Sequence, residues 1–308
     1  MSPEIKLRVK YLKYKYLKHR IRKNPRYLLT KRVLSFLQNT NNDTPLSETE
    51  REQFIKFLRR HLIEVFNYPF VAKYHYRRVK VYLDKEIGLR YVLTDENRRL
   101  YFQRGMKARH VRGLYNSLCC EQDELSPHNY CFYPLQINSN AVFADLGAAE
   151  GIFTLKFIDK IKTAYLFECE NKWIEALQVT FRPWKDKIII VNKYVANRDD
   201  DKFTSLDYFF REREKPTLIK IDVEGAENDI FKGADQLLNE GINDILVCTY
   251  HRKGDEQNLS RQLQAKRYET VHSPGYMLFH YEAPNYALEE PFDFRRGLIH
   301  ASFKDMRS

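Results

Sequence analysis

The stretch VFADLGAAEGIF, residues 142–153, reads as a buried strand running into a glycine turn and then a helix. Val142, Phe143 and Ala144 form an apolar run of strand type, Gly147 can take backbone angles closed to other residues, and Gly151 lets the next helix pack closely. The spacing GxxxG is not the GxGxxG that brings a helix N-terminus against a pyrophosphate in dinucleotide sites. Asp145 and Glu150 flank the turn instead, an acidic lip that would repel phosphate and suit a cationic ligand. A second strand, residues 164–167, ends in Glu168, 23 residues past Asp145. In nucleotide-binding βαβ units an acid about 20 residues past the glycines holds ribose hydroxyls.

Working outward, strands and helices alternate. Strands are expected at 142–146, 164–168, 187–195, 217–222 and 244–250, and helices at 152–160, 171–181, 205–213 and 226–239. This spacing predicts an α/β fold, a mostly parallel sheet with helices on both faces, and ligands in such sheets bind at the carboxyl ends of the strands. YETVHS (268–273) and YMLFHYE (276–282), joined at Pro274 and Gly275, read as a hairpin that adds the closing antiparallel strand. Asp222 and Glu224 follow the fourth strand and His251 the fifth, so all three belong to the edge that holds Asp145, Gly147, Gly151 and Glu168. A hydroxyl is a poor nucleophile while protonated, and histidine is the side chain poised to take its proton near neutrality. The plainer roles are a strand-end histidine bonded to a loop for His251 and a helix cap for Glu224. His128, in a lone SPH segment, is a weaker base and reads more readily as a turn residue. Two carboxylates and a distant histidine lack a distinctive metal spacing, so no metal is expected.

Four segments together resemble a known family: DLGAAEG (145–151), LFECE (166–170), TSLDYFF (204–210) and IKIDVEGAE (219–227). In order and spacing they are similar to the FkbM-type family of S-adenosylmethionine (SAM, S-adenosyl-L-methionine) dependent methyltransferases. The resemblance runs from about residue 121 to the end. EQDELSPHNY (121–130) and FRRGLIHASF (294–303) are also similar to segments of a bacterial branch found with surface-polysaccharide genes. The resemblance implies a class I, Rossmann-like domain with SAM as cofactor, held by Asp145, Gly147, Glu150, Gly151 and Glu168. It implies O-methylation of a hydroxyl of a bacterial surface glycan or related small natural product, with His251, Asp222 and Glu224 as catalytic candidates. Asp222 equally suits the amino group of the donor's methionine. The motif NPPY, common where bases are methylated on amino groups, is absent.

Charge is distributed unevenly. Residues 1–33 hold 12 Lys/Arg against Glu4 alone, so this arm carries the whole net charge of +11 and the rest is balanced. Residues 4–23 place Ile5, Val9, Leu12 and Tyr16 at helical spacing among lysines and arginines, a basic amphipathic helix suited to an anionic membrane face or, less readily, nucleic acid. The expected organisation is an arm over 1–33, an accessory region over 34–125 and the methyltransferase domain over 126–308. The accessory region opens with a linker at 39–45 and a capping box, Ser47 with Glu50, that starts a helix through about Phe66. A small meander follows (79–84, 89–93, 99–102), then a helix over 106–125. Five cysteines without a CxxC pair, and no signal-type or 18-residue apolar run, suggest a reduced, cytoplasmic chain, peripheral at the inner membrane face through its arm. The rival reading is a membrane-associated or nucleic-acid-binding protein that keeps the methyltransferase fold, a nucleic-acid methyltransferase included.

Overall fold

The computed structural model describes residues 24–40, 43–279 and 292–304. The basic helix expected at 4–23 lies outside them. The chain divides into two compact units, Met1–Val71 with Gly275–Arg295, and Ala72–Pro274 with Arg296–Ser308. These boundaries differ from those read off composition. The meander and the helix after it go with the sheet, and residues 24–33 are not a free arm, because Leu29 and Val33 are fully buried.

In the first unit, helix α1 (Pro25–Gln38) starts at Asn24, whose side chain accepts from the Arg26 N–H at 2.9 Å, with Pro25 in the first turn where a missing N–H costs nothing. Helix α2 (Glu48–Leu58) starts on the expected capping box: Ser47 Oγ accepts from Glu50 N–H at 3.3 Å, and Glu50 returns a carboxylate to Ser47 N–H at 2.8 Å. The helix stops at Leu58 rather than Phe66. Asn67 bonds both backbone groups of Glu64, at 3.0 and 2.7 Å, and this local turn competes with continuing the helix. Phe54, fully buried, packs edge-on against Tyr68 and Phe294.

The second unit begins with the antiparallel meander β1 (Tyr82–Leu83), β2 (Arg90–Leu93) and β3 (Arg99–Tyr101), followed by α3 (Ala108–Glu121). Then come β4 (Val142–Leu146), α4 (Ile152–Phe157), β5 (Thr163–Phe167), α5 (Asn171–Thr180) and β6 (Ile188–Val191). A two-stranded parallel pair, β7 (Tyr194–Val195) and β8 (Phe203–Thr204), leads to α6 (Leu206–Phe209) and β9 (Leu218–Ile221). The chain continues through α7 (Glu227–Lys232), α8 (Asp235–Glu240), β10 (Asp244–Cys248), α9 (Asp255–Ala265) and β11 (Tyr268–His272). Strands β10, β9, β4, β5 and β6 are neighbours in that order and parallel, the Rossmann-like α/β arrangement expected.

Alternation along each strand builds two cores. Val142, Ala144, Leu146, Ile219, Ile221, Ile245 and Val247 face α6 to α9, and Phe143, Leu218, Leu246 and Cys248 face α3 to α5 and the meander. Asp145 and Lys220 share the parity of the second set, which decides what they meet. The long helix expected at 226–239 is two helices that part at Gly233, whose carbonyl accepts from the Asp207 N–H at 2.9 Å and where a Cβ would sit 2.2 Å from the Ala196 carbonyl oxygen. Asp207, from the TSLDYFF segment, accepts from the N–H groups of Gln236 and Leu237 at 3.0 and 2.8 Å and starts the second helix.

The closing antiparallel strand is not the one expected. Met277–Leu278 (β12) pairs with Phe294–Arg295 (β13) in the first unit, and β14 (Leu298–Phe303) enters antiparallel between β10 and β11, opposing Tyr268 with Phe303. Leu298, Ile299 and Ala301 are fully buried, and His300 bonds Asp244 of β10 at 2.7 Å, so LIHASF meets the demands of an interior position. The local turn signal at Pro274–Gly275 is strong, but β14 rather than β12 is the partner of β11.

Gly233→Ala should lower stability by about 1–3 kcal/mol through overpacking. Gly113→Ala, inside α3 with nothing within 4 Å of an added Cβ, should be neutral or stabilising by about 0.5–1 kcal/mol. Urea midpoints of the two variants check this, and equal midpoints would contradict the close approach at Gly233.

Candidate active site at the strand ends

The centre of the site is a cross-strand pair. Asp145 on β4 stands opposite Lys220 on β9, with Asp145 Oδ1 3.0 Å from Lys220 Nζ and both side chains buried. Lys220 Nζ also donates to the Gly147 carbonyl at 2.8 Å and lies 5.6 Å from the centre of the Tyr130 ring. Burial pulls the ammonium pKa down, but Asp145 and Asp222 more than offset this and hold it above its ordinary value. Thr154 Oγ1 donates to the other Asp145 oxygen at 2.7 Å. Asp145 therefore serves an internal lysine rather than an outside cation. Glu150 is buried as well, and burial raises its carboxyl to about 7. The acidic lip expected at the turn is thus an ion pair and a buried acid with a raised pKa, neither lining the cavity beside them.

That cavity, about 520 Å³, is lined by Gly147, Ala149, Glu168, Trp173, Asp222 and Glu224, among others. Gly147 has φ +75°, and a Cβ there would lie 1.9 Å from the Asp222 carbonyl oxygen, so only glycine lets the turn pass β9. Gly151 has φ +80° and packs on Leu177 and Phe181, which places it in the core rather than at the cavity. Glu168 accepts from the Ala149 N–H at 2.9 Å and the Glu170 N–H at 2.6 Å, one on each oxygen. Burial raises its pKa against those two bonds.

Asp222 gathers the catalytic candidates. Its Oδ2 accepts from Tyr130 at 2.6 Å, its Oδ1 from Tyr250 at 3.3 Å, and His251 Nε2 stands 3.4 Å from Oδ1. Burial works against its charge, yet Lys220, both histidines and Tyr130 prevail and hold the carboxyl well below the usual range. His251 Nδ1 donates to Glu227 Oε1 at 2.7 Å, and Nε2 lies 3.7 Å from Glu224 Oε2. Burial lowers the imidazole pKa, but the Glu227 bond with the charges of Asp222, Glu227 and Glu224 carries it above 6.5. The structure thus brings His251, Asp222 and Glu224 together. Glu224 itself is 94% exposed and sits at φ +55°, away from the helix-capping role that sequence allowed.

His128 is not a surface turn residue. It is buried, with Nε2 3.2 Å from the Tyr250 hydroxyl, and burial lowers its pKa to about 4. With Asp222 and Cys248 it offers ligand atoms within 4.8 Å of one another. The Lys220 charge beside Asp222 and the Tyr130 bond on Oδ2 disfavour a cation there. Sequence reasoning missed Lys220, Glu227, Tyr130 and Tyr250. Two had a signal: Lys220 interrupts a buried apolar strand, and Glu227 is the last residue of the quoted IKIDVEGAE.

Residues 193–278, which carry Asp222, Glu224, Glu227 and His251, match the family model described as the methyltransferase FkbM domain. The resemblance to the FkbM methyltransferases holds. No curated protein matches the chain. Among solved structures, a methyltransferase FkbM from Methylobacillus flagellatus KT is similar at 17% identity over 64% of this chain and 53% of that one, with a TM-score of 0.43. The chain thus spans about half the length of that FkbM protein. A precorrin-6y C5,15-methyltransferase from Geobacter metallireducens GS-15 follows at 12% identity, covering 56% and 84% of the two chains, with a TM-score of 0.39. Sp1610 of Streptococcus pneumoniae, a putative tRNA (m1A22) methyltransferase in complex with S-adenosyl-L-methionine, has 17% identity, covers 56% and 71%, and has a TM-score of 0.37.

Lys220→Met would leave Asp145 buried without its cation, and breaking a buried pair in this way costs about 3–5 kcal/mol. Chemical denaturation should show a loss of that order for Lys220→Met, against about 1 kcal/mol for Thr154→Val. A Lys220→Met protein as stable as the parent would show that the pair does not hold the turn.

Proposed function

We propose that this protein is a SAM-dependent O-methyltransferase that acts on a hydroxyl of a bacterial surface glycan or related small natural product. The observation that carries the reading is His251, held between Glu227 and Asp222 at the end of β10, next to a cavity walled by Glu168 and Asp222. The cavity residues fit the cofactor. Each Glu168 oxygen keeps a lone pair beyond its backbone bond, which suits a ribose diol, and Trp173 offers an aromatic wall for a base. When bound, SAM supplies an electrophilic methyl group.

The chain's own groups then have separable tasks. Asp222, kept ionised by Lys220, the two histidines and Tyr130, supplies a fixed negative charge at the cavity wall. Glu227 accepts from Nδ1 of His251 and thereby directs Nε2 toward the Asp222 side, where it can take the acceptor proton. Only the neutral imidazole is a base. Because the carboxylates raise its pKa, the rate should climb with pH through a value above 6.5.

Calorimetry should show binding of S-adenosylhomocysteine, the demethylated product, weakened about 10- to 100-fold in Glu168→Ala. Tight NAD binding with none of the product would sink the reading. With an acceptor that the parent protein methylates in hand, His251→Ala should leave product affinity within a few-fold and cut turnover about 10²- to 10⁴-fold. Glu227→Gln, which removes a charge that raises the imidazole pKa, should shift the acidic limb of the rate profile to lower pH. Near-wild-type turnover in His251→Ala, or an unmoved limb in Glu227→Gln, would remove His251 from the base role.

A nucleic-acid acceptor or peripheral membrane attachment is the reading favoured by the +11 charge of residues 1–33. Truncation is best placed before Asn24, since α1 buries Leu29 and Val33.

A further inference from the structure

The charge balance of residues 34–308 is made of unequal parts. Residues 72–112 hold 12 Lys/Arg against 4 Asp/Glu, a net of +8, whereas residues 113–308 hold 24 against 31, a net of −7. The basic segment belongs wholly to the sheet-bearing unit, where it forms the short turn at Tyr76–Arg78, the β1–β3 meander and the start of α3. Nine of its bases are exposed, and the exposed acids among them are Glu86, Asp95 and Glu96. Lys73, Arg99 and Arg104 are offset by Asp123, Asp84 and Glu175. Arg77, Arg78, Lys80 and Lys85 make no ion pair among the described residues, so their charge faces outward uncompensated.

Large apolar side chains are exposed in the same segment. Tyr76, Tyr82, Leu83 and Leu93 are 38–52% exposed, four of the ten large hydrophobic side chains so exposed among the described residues. Such clustering marks an interaction surface, whereas single exposed hydrophobics scattered over a protein need no explanation. The basic and the apolar groups share a face, because Arg78, Lys80, Tyr82 and Leu93 line one open cavity of about 630 Å³, with Asp95 and Glu96 of the β2–β3 turn as the acids at its wall. The strand register keeps Tyr82, Tyr91 and Leu93 on one side of the meander, and β1, which carries Tyr82 and Leu83, is an edge strand.

We infer that this basic and apolar face, residues 76–93 of the sheet-bearing unit, docks on an anionic lipid surface. Docking of that kind takes cations drawn to negative headgroups together with apolar and aromatic side chains that enter the boundary between headgroups and acyl chains, and both are present here. A single-stranded nucleic acid would use the same cations but would stack its bases on open ring faces. Those faces are already engaged. Tyr82 stacks on Tyr91 at 5.2 Å between centres, Arg99 lies over Tyr91 at 4.8 Å, and Tyr76 meets His75 at 5.4 Å and Arg77 at 5.8 Å. Leu83 and Leu93 have no π face to offer a base but lose contact with water on entering a lipid boundary. The face is separate in sequence from residues 1–33 and is independent of the methyl-transfer reading.

Hydrogen exchange of the full chain on vesicles reads each segment separately, so adsorption through residues 1–33 is distinguished from docking through residues 76–93. Phosphatidylcholine vesicles containing phosphatidylglycerol should slow amide exchange across residues 76–93, phosphatidylcholine alone should not, and high salt should remove the effect. Arg77→Glu with Arg78→Glu and Lys80→Glu should return exchange in that segment to its vesicle-free rate. Tyr82→Ser with Leu93→Ser, which leaves every charge in place, should give a partial loss of protection. Both variants should keep the slow exchange of β4 and β9 found in the parent protein, which shows that the fold is intact. No slowing at residues 76–93 of the parent protein on anionic vesicles, equal slowing by phosphatidylcholine alone, or protection that survives the triple reversal would each overturn the inference. So would protection of these residues by a single-stranded oligouridylate and not by vesicles, which would assign the face to nucleic acid.

Discussion

An ammonium group inside a parallel sheet constrains everything around it. Lys220 sits among apolar neighbours at a position where an isolated charge would cost several kcal/mol. The sheet register places Asp145 directly opposite, the turn after β4 bends until the Gly147 carbonyl reaches the same nitrogen, and Asp222 follows directly after the strand that carries Lys220. The turn can make that approach only because residue 147 has no side chain to strike the Asp222 carbonyl. Such a cluster is poor evidence of stability, because two apolar residues in place of a buried ion pair often do as well. Its consequence is positional: the glycine turn and the acidic strand end are tied to one atom.

The same cluster separates two histidines that lie on either side of Tyr250. His128 and His251 are each near Asp222, and burial disfavours the charged form of both. For His128 burial prevails and the pKa falls to about 4, since its nearest polar neighbours are a tyrosine hydroxyl, a thiol and Gln122. For His251 a direct bond to Glu227, with Asp222 and Glu224 on the other nitrogen, reverses the sign. At neutral pH the His128 imidazole is therefore a neutral packing and hydrogen-bonding group, whereas the surroundings of His251 favour its charged form. A pair of titratable groups pushed apart in this way is what an acid–base assignment rests on.

The legible part of the sequence was the part with local signals. Strands β4, β5, β9 and β10 are apolar runs, each ending in a polar residue, so Glu168, Asp222 and His251 could be assigned to one edge before any contact was known. The sheet order around them follows from alternating strands and helices. What stayed hidden depends on pairing across distance. LIHASF joins β10 and β11 across gaps of tens of residues, and no local pattern competes with the Pro274–Gly275 turn that suggested another partner. Asp145 and Glu150 show their charge in sequence but not their partners, so an ion pair with Lys220 and a burial-shifted acid were read as an acidic lip. The capping box at Ser47 was readable because it spans four residues, whereas the end of α2 was set by Asn67, nine residues beyond Leu58.

In the proposed reaction, the division of tasks between Asp222 and His251 follows from the electrostatics rather than from their order in the chain. A carboxylate held far below its ordinary pKa is a weak base, so Asp222 cannot accept a proton usefully near neutrality however close it stands to an acceptor hydroxyl. What it can do is remain charged. That charge, shared between two tyrosine hydroxyls and the imidazole, fixes the edge of His251 from one side while Glu227 fixes it from the other. An imidazole clamped on both nitrogens by carboxylates is oriented but also made more acidic-resistant, because each neighbour favours the protonated ring. In the proposed reaction only the neutral ring can take the acceptor proton, so each carboxylate that orients the imidazole also moves the onset of activity toward higher pH.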